Sequence, residues 1–156
     1  TEAQVARVTE VMAELNRAAG EVLAASGAVS ALTDVTGFGL LGQAWEMAEG
    51  SRVVIRLHAG RVPLIDGVRE LAAQDVFPGG SQANLAWVAP HARFGPGVGA
   101  TLQLVLADAQ TNGGLLAAVA PGRFDAVRGL LADAGVPAAH VGEVLADVGA
   151  PALEVV

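Results

Sequence analysis

Three short stretches gather the residues whose types could do chemistry. They are Thr33-Asp34-Val35-Thr36-Gly37-Phe38-Gly39, Pro78-Gly79-Gly80-Ser81-Gln82-Ala83-Asn84 and Asp108-Ala109-Gln110-Thr111-Asn112-Gly113-Gly114. Each mixes glycine with hydroxyl, amide or carboxylate side chains. Glycine lets backbone N–H groups face a ligand with no Cβ in the way. Threonine and asparagine add neutral donors. A carboxylate beside such a loop can hold a magnesium ion that bridges to a phosphate, because magnesium takes a few hard oxygens and keeps some of its waters. Each stretch also reads as an ordinary tight turn, and Asp34 as a turn or helix-capping carboxylate.

Other chemistries fit less well. Gly37-Phe38-Gly39-Leu40-Leu41-Gly42 matches G-x-G-x-x-G, but a dinucleotide site wants an apolar strand running straight into the first glycine and an acid about 20 residues beyond. Here Thr33 to Thr36 intervene, and the next acid after the strand candidate at 52–57 is Asp66, inside a helix candidate. The chain has no lysine and so no phosphate-binding G-K-[ST] sequence. His58, His91 and His140 lie far apart and read as solvated or hydrogen-bonded side chains. Glu46 and Glu49 read as a solvated helix face, and Trp45 and Trp87 as core or interface residues rather than stacking platforms.

The elements that must position the three stretches follow from periodicity. Residues 3–25 carry Val5, Val8, Met12, Leu15, Ala19, Val22 and Leu23 mostly at spacings of three and four, which predicts one helix ended by Gly27. Residues 28–32 predict a strand, and Thr36 a cap for a helix over 37–48, with Phe38, Leu41, Trp45 and Ala48 on its apolar side and Gly50 as its stop. Residues 52–57 predict a β-branched strand, 66–74 a helix with Val68, Leu71 and Ala72 inward, and 82–89 a short helix after a loop at 78–81. Residues 90–99 read as loop, 101–107 as strand, 115–120 as strand, and 123–134 as a helix burying Phe124, Val127, Leu130 and Leu131. Strands at 141–145 and 152–156, joined by a turn at 147–151, close the chain like a hairpin. Mixed order without strict alternation predicts an α/β (α+β) layered sandwich: a mixed β-sheet packed by helices.

The 156 residues form one expected domain, 53% hydrophobic and only 4% aromatic. A net charge of −7 argues against nucleic acid and against an anionic membrane surface. Cysteine is absent, which excludes disulfides, thiolate metal sites and a cysteine nucleophile. No apolar run reaches the roughly 18 residues of a membrane span. The expectation is a cytoplasmic protein, and the start at Thr1 suggests a piece of a longer chain.

The three stretches, in their order, resemble selenophosphate synthetase (selenide, water dikinase). Thr33 to Met47 is similar to its T-D-V-T-G-F-G-L-L-G-H-x-x-E-M signature, and Leu15-Asn16 with Ala18 to its L-N-x-A helix. Pro78 to Asn84 resembles P-G-G-T-x-x-N, Asp108 to Val119 resembles D-P-Q-T-S-G-G-L-L-x-A-V, and Gly142-Glu143 falls at I-G-E. Gln43, Ala109 and Asn112 stand where that family has histidine, proline and serine. The resemblance implies the C-terminal domain type shared with aminoimidazole ribonucleotide synthetase. It implies an enzyme making selenophosphate, AMP and orthophosphate from selenide, ATP and water with Mg2+. It implies Asp34 as a magnesium ligand, and Thr33, Thr36, Gly37, Gly79, Gly80, Asn84, Gln110, Thr111, Asn112, Gly113 and Gly114 near the nucleotide and its phosphates. The reactive cysteine or selenocysteine, the lysine and the other metal ligands belong to an N-terminal half that this chain lacks, so it is expected to be inactive alone and to dimerise when full length. Alternatives are a non-catalytic regulatory or dimerisation module, or another ATP-using member of the superfamily such as a thiamine-phosphate kinase or a hydrogenase-maturation protein.

Overall fold

The computed structural model describes residues 1–146 and 152–156. Helices α1 (Glu2–Ala13) and α2 (Arg17–Ala25) lead into β1 (Val29–Asp34), α3 (Gly39–Ser51) and β2 (Val53–Leu57). Then come α4 (Val68–Ala72), α5 (Gly79–Val88), β3 (Ala92–Phe94), α6 (Ala100–Leu106), β4 (Leu115–Val119), α7 (Phe124–Asp133), β5 (Gly142–Ala146) and β6 (Leu153–Val155). The architecture is α+β, with helices on mixed sheets as expected. β1 and β4 form an antiparallel ribbon, and the other strands a four-stranded sheet in the order β3-β6-β2-β5.

Two apolar clusters hold it. The larger packs α3 against the four-stranded sheet through Leu41, Ala44, Ala48, Ile55, Leu57, Leu106, Leu153 and Val155. The smaller joins Leu23 of α2 to Val127 and Leu131 of α7, under Leu115, Ala117 and Val119 of β4. Small side chains allow α3 to lie close to its neighbours. Gly42 is one such place, since a Cβ there would stand 2.7 Å from that of Phe38 and 3.2 Å from the Trp87 ring.

Charge is ordered across the outer sheet. Register aligns Arg93 of β3, Glu154 of β6, Arg56 of β2 and Glu143 of β5 in one row of alternating sign. Arg56 donates to the buried Glu154 carboxylate at 2.9 Å, Arg93 donates to its other oxygen, and Glu143 meets His58 Nε2 at 2.8 Å. Opposite charges face each other across strands, which favours this register over a slip.

Several expectations change. The helix over 3–25 breaks at Glu14–Asn16, where Glu14 is extended with ψ 130. α1 buries none of its residues, so Val5, Val8 and Met12 are exposed on it, and Leu15 is exposed in the break that follows. β1 runs on to Asp34, so Thr33 and Asp34 are strand residues rather than turn. Thr36 does not cap α3: the cap position is Phe38, and the helix passes Gly50 to end at a left-handed Arg52. Phe38 sits on the surface rather than the apolar side, and Leu71 and Leu130 are also exposed. Gly79 and Gly80 belong to the first turn of α5.

The largest correction is 101–107, which is helix α6. A short apolar run does not reveal its period; in place, Leu102, Val105 and Leu106 turn inward at helical spacing, and Gln103 ties the first turn to the Val98 carbonyl at 2.8 Å. β3 lies in the expected 90–99 loop because, among the described residues, its one partner strand is β6, at the far end of the chain. β5 and β6 do not pair as a hairpin: β2 lies between them, antiparallel to β5 and parallel to β6. The turn expected at 147–151 lies outside the described residues.

His58 and the two arginines hold Glu143 and Glu154 ionised, His58 lowering the former and Arg56 then Arg93 the latter below the usual 4.5. A lowered folded pKa gives stability that is complete above the unfolded value and is lost as pH falls through the folded one. The stability gap between the wild type and Glu154→Gln, measured by urea unfolding, is therefore expected to be widest at neutral pH. It should close as pH drops below the ordinary carboxylate range of about 4.3.

Candidate functional site

Backbone pairing between β1 and β4 does not stop at the strand ends. Beyond the Asp34–Leu115 pair, Val35 N–H donates to the Gly114 carbonyl at 2.9 Å and Gly113 N–H to the Val35 carbonyl at 2.9 Å. Gln110 N–H then donates to the Thr36 carbonyl at 3.0 Å. The first and third stretches are thus zipped together by their own backbone. Two glycines make the approach possible. Gly39 has φ +67, and a Cβ there would come within 2.6 Å of the Ala107 backbone. A Cβ on Gly113 would come within 2.6 Å of the Val35 carbonyl.

The second stretch joins through side chains. Asn84, one turn and a half into α5, uses both carboxamide hydrogens: Nδ2 donates to the Gly37 carbonyl at 2.8 Å and to the Ala107 carbonyl at 3.0 Å. The fully buried Ser81 hydroxyl donates to Asp108 Oδ1 at 2.6 Å. Gly80 lies 3.4 Å, measured from the position a Cβ would take, from the Ala109 methyl. All three stretches therefore share one face.

On that face the expected residues divide. Asn84, Thr36 and Gly113 are structural ties, through side chain or backbone. Asn112 is left-handed with φ 57, and its Oδ1 accepts from Asn16 Nδ2 at 2.8 Å, so it anchors the break between α1 and α2. Thr33 donates to Gln43 Oε1 at 3.2 Å, so the buried glutamine serves as an acceptor there. Gly37, Gly79, Gly80 and Thr111 are exposed, while Gln110 and Gly114 are half-buried. Asp34 is exposed at the end of β1, and among the described residues its carboxylate takes no hydrogen bond or ion pair.

Sequence reasoning missed the roles of Asn16, Ser81 and Asp108. The signal for Asn16 was its weak helix propensity inside a supposed continuous helix. The Ser81–Asp108 bond spans 27 residues and left no local trace. The histidines behave as expected: His58 is bonded to Glu143, His91 stacks on Trp45, and His140 packs on Phe124.

An α+β domain with a composite polar face at the end of a two-stranded ribbon is the class that fold and face define. Over residues 2–151 the chain matches the family described as AIR synthase related protein, C-terminal domain, and it belongs to that family. It is 51% identical over 153 residues to a protein named selenide, water dikinase from Myxococcus xanthus (strain DK1622), covering 96% of this chain and 42% of that one. Proteins of the same name from Nitratidesulfovibrio vulgaris and Carboxydothermus hydrogenoformans are 47% and 41% identical, with 84% and 92% of this chain covered. The chain spans about two fifths of the length of these relatives, 37% to 42%. Among the described residues no helix is long and apolar enough to cross a membrane.

Asn84→Ala leaves the Gly37 and Ala107 carbonyls without their shared donor. The expected loss of stability in urea unfolding is about 1–3 kcal/mol. Gly39→Ala should cost at least as much, because the strained φ and the Ala107 backbone both oppose a Cβ.

Proposed function

We propose that this chain is the C-terminal domain of a selenide, water dikinase, an ATP-dependent enzyme that makes selenophosphate, AMP and phosphate from selenide and water. The observation that carries the reading is Asp34: an exposed carboxylate with no partner among the described residues, at the rim of a face built from three glycine-rich stretches. Similarity to relatives named selenide, water dikinase supports the activity.

The donor set fits magnesium in part. Among the described residues no three His, Asp or Glu side chains cluster, so Asp34 would supply one ligand. Magnesium accepts that arrangement, because it binds through one or two carboxylates plus phosphate oxygens and waters. When bound, the ion neutralises charge on the transferring phosphate. This chain's residues bind and orient. The first backbone amides of α5, at Gly79 and Gly80, favour an anion. Thr33, Thr36, Gly37, Gln110, Thr111, Asn112, Gly113 and Gly114 shape the wall beside it, and Asn84 sets its curvature.

The nucleophilic residue and the other metal ligands come from an N-terminal half of the same enzyme, so this domain alone does not turn over. The full-length enzyme works in the cytoplasm as a homodimer, and neither nucleic acid nor membrane is a partner.

Asp34→Asn in the full-length enzyme tests the reading. The apparent magnesium affinity for AMP formation should fall at least about tenfold, the loss that already attends an outer partner of a metal ligand. The melting temperature should stay within a degree or so, since the carboxylate supports nothing else. A change in melting with magnesium dependence intact would refute it.

A further inference from the structure

From Met12 to Ala18 every residue is exposed except Asn16, which is half-buried. Asn16 stands at the N-cap of α2, where asparagine ordinarily turns its side chain back to accept from the first backbone N–H groups of its own helix. Here the side chain makes no such bond. Its Nδ2 instead donates to Asn112 Oδ1 at 2.8 Å, across 96 residues of chain. The contrast with α1 is direct, since Thr1 and Gln4 close a full capping box on a helix that buries nothing.

The receiving end is equally particular. Asn112 has φ +57, a left-handed conformation that L residues hold only where the surroundings support it. It is also a position at which this chain departs from the selenophosphate synthetase pattern, which has serine there. Gly113 comes next, and its N–H donates to the Val35 carbonyl at 2.9 Å. Val35 follows Asp34. A side-chain bond, one peptide step and a backbone bond therefore connect the start of α2 to the strand end that carries Asp34. α2 is a firm anchor for that connection. Leu23 is buried in the smaller apolar cluster with Val127 and Leu131, and a Cβ on Gly20 would stand 4.0 Å from Leu115 Cδ1, beside the end of the third stretch.

We infer that Asn16 is a positioning residue for the proposed reaction. It touches no substrate; it holds the Asn112 turn, and so keeps the third stretch in register with the strand end that carries Asp34. The inference rests on the dikinase reading above. Such a role trades the helix cap for geometry at the reacting centre. A displacement of about 1 Å produced far from the chemistry can cost about 100-fold in rate.

Substitutions at Asn16 separate positioning from stability. Serine caps a helix as well as asparagine does, but its hydroxyl lies one bond nearer the backbone, short of Asn112. Aspartate also caps, and it can accept from Asn112 Nδ2 and keep the tie. In the full-length enzyme, Asn16→Ser is expected to lower kcat for AMP formation at least about tenfold, with the melting temperature held within about two degrees. Asn16→Asp should stay within about twofold of the wild type. Asn112→Gly, which suits the positive φ but lacks the carboxamide, should lower kcat as Asn16→Ser does, and the double variant no further. Hydrogen exchange reads the tie without turnover: the Gly113 N–H should exchange about fivefold faster in Asn16→Ser, while the β1–β4 ladder keeps its protection. An unchanged kcat in Asn16→Ser, or a loss in Asn16→Asp as deep as in Asn16→Ser, would overturn the positioning role and leave the dikinase reading standing. So would losses of kcat that track losses of melting temperature across the variants. A full-length wild type that forms no AMP from ATP and selenide would overturn both.

Discussion

The carboxamide of Asn84 donates to two carbonyls in two different loops, and the candidate site depends on that bridge. The Gly37 and Ala107 carbonyls are separated by most of the domain's core in sequence, and each follows or precedes a glycine-rich turn. Backbone pairing past Asp34 and Leu115 brings the first and third stretches together in one plane. Only a side chain from α5 reaches both from the side. The Ser81–Asp108 bond then sets the start of the same helix against the third stretch. A buried hydroxyl and a carboxylate form a short, charge-assisted pair, and such pairs hold geometry better than neutral ones.

The rest of the domain supplies rigidity to that junction. α3 leaves the first stretch and crosses the four-stranded sheet, burying Leu41, Ala44 and Ala48 against Ile55, Leu57, Leu153 and Val155. On the opposite side of the ribbon, β4 lies on α2 and α7. The ribbon is therefore gripped between two apolar clusters, and its open end carries the polar stretches. Against this order stands α1, a capped helix none of whose residues is buried among the described residues. Helices of this length owe their stability to packing.

Much of the fold was legible because its signals are local. The run at 53–57 declared itself by its β-branched residues and α7 by its amphipathic pattern, and the short apolar stretch at 115–119 also read as a strand. What failed depended on distant partners. α6 read as a strand because a run as short as Leu104 to Ala107 carries no period of its own. β3 and β6 pair across 61 residues, as the Arg93–Glu154 contact records, and no pattern near Ala92 announces a strand. The end of the chain resembled a hairpin because two strands were close in sequence, yet β2 inserts between them.

The sequence by itself determined the chemistry on offer: which residues carry oxygens, amides and glycine freedom, and that they cluster in three stretches beginning at Thr33, Pro78 and Asp108. Residue type is a local property, so composition and spacing suffice to state it. Tertiary structure alone decided the roles. It made Asn84, Ser81 and Asp108 into ties, and left Asp34 without a partner among the described residues. Those roles depend on which groups meet across tens of residues, and on which polar atoms the meeting leaves unpaired. Both are settled by packing the ribbon and α3 into one core.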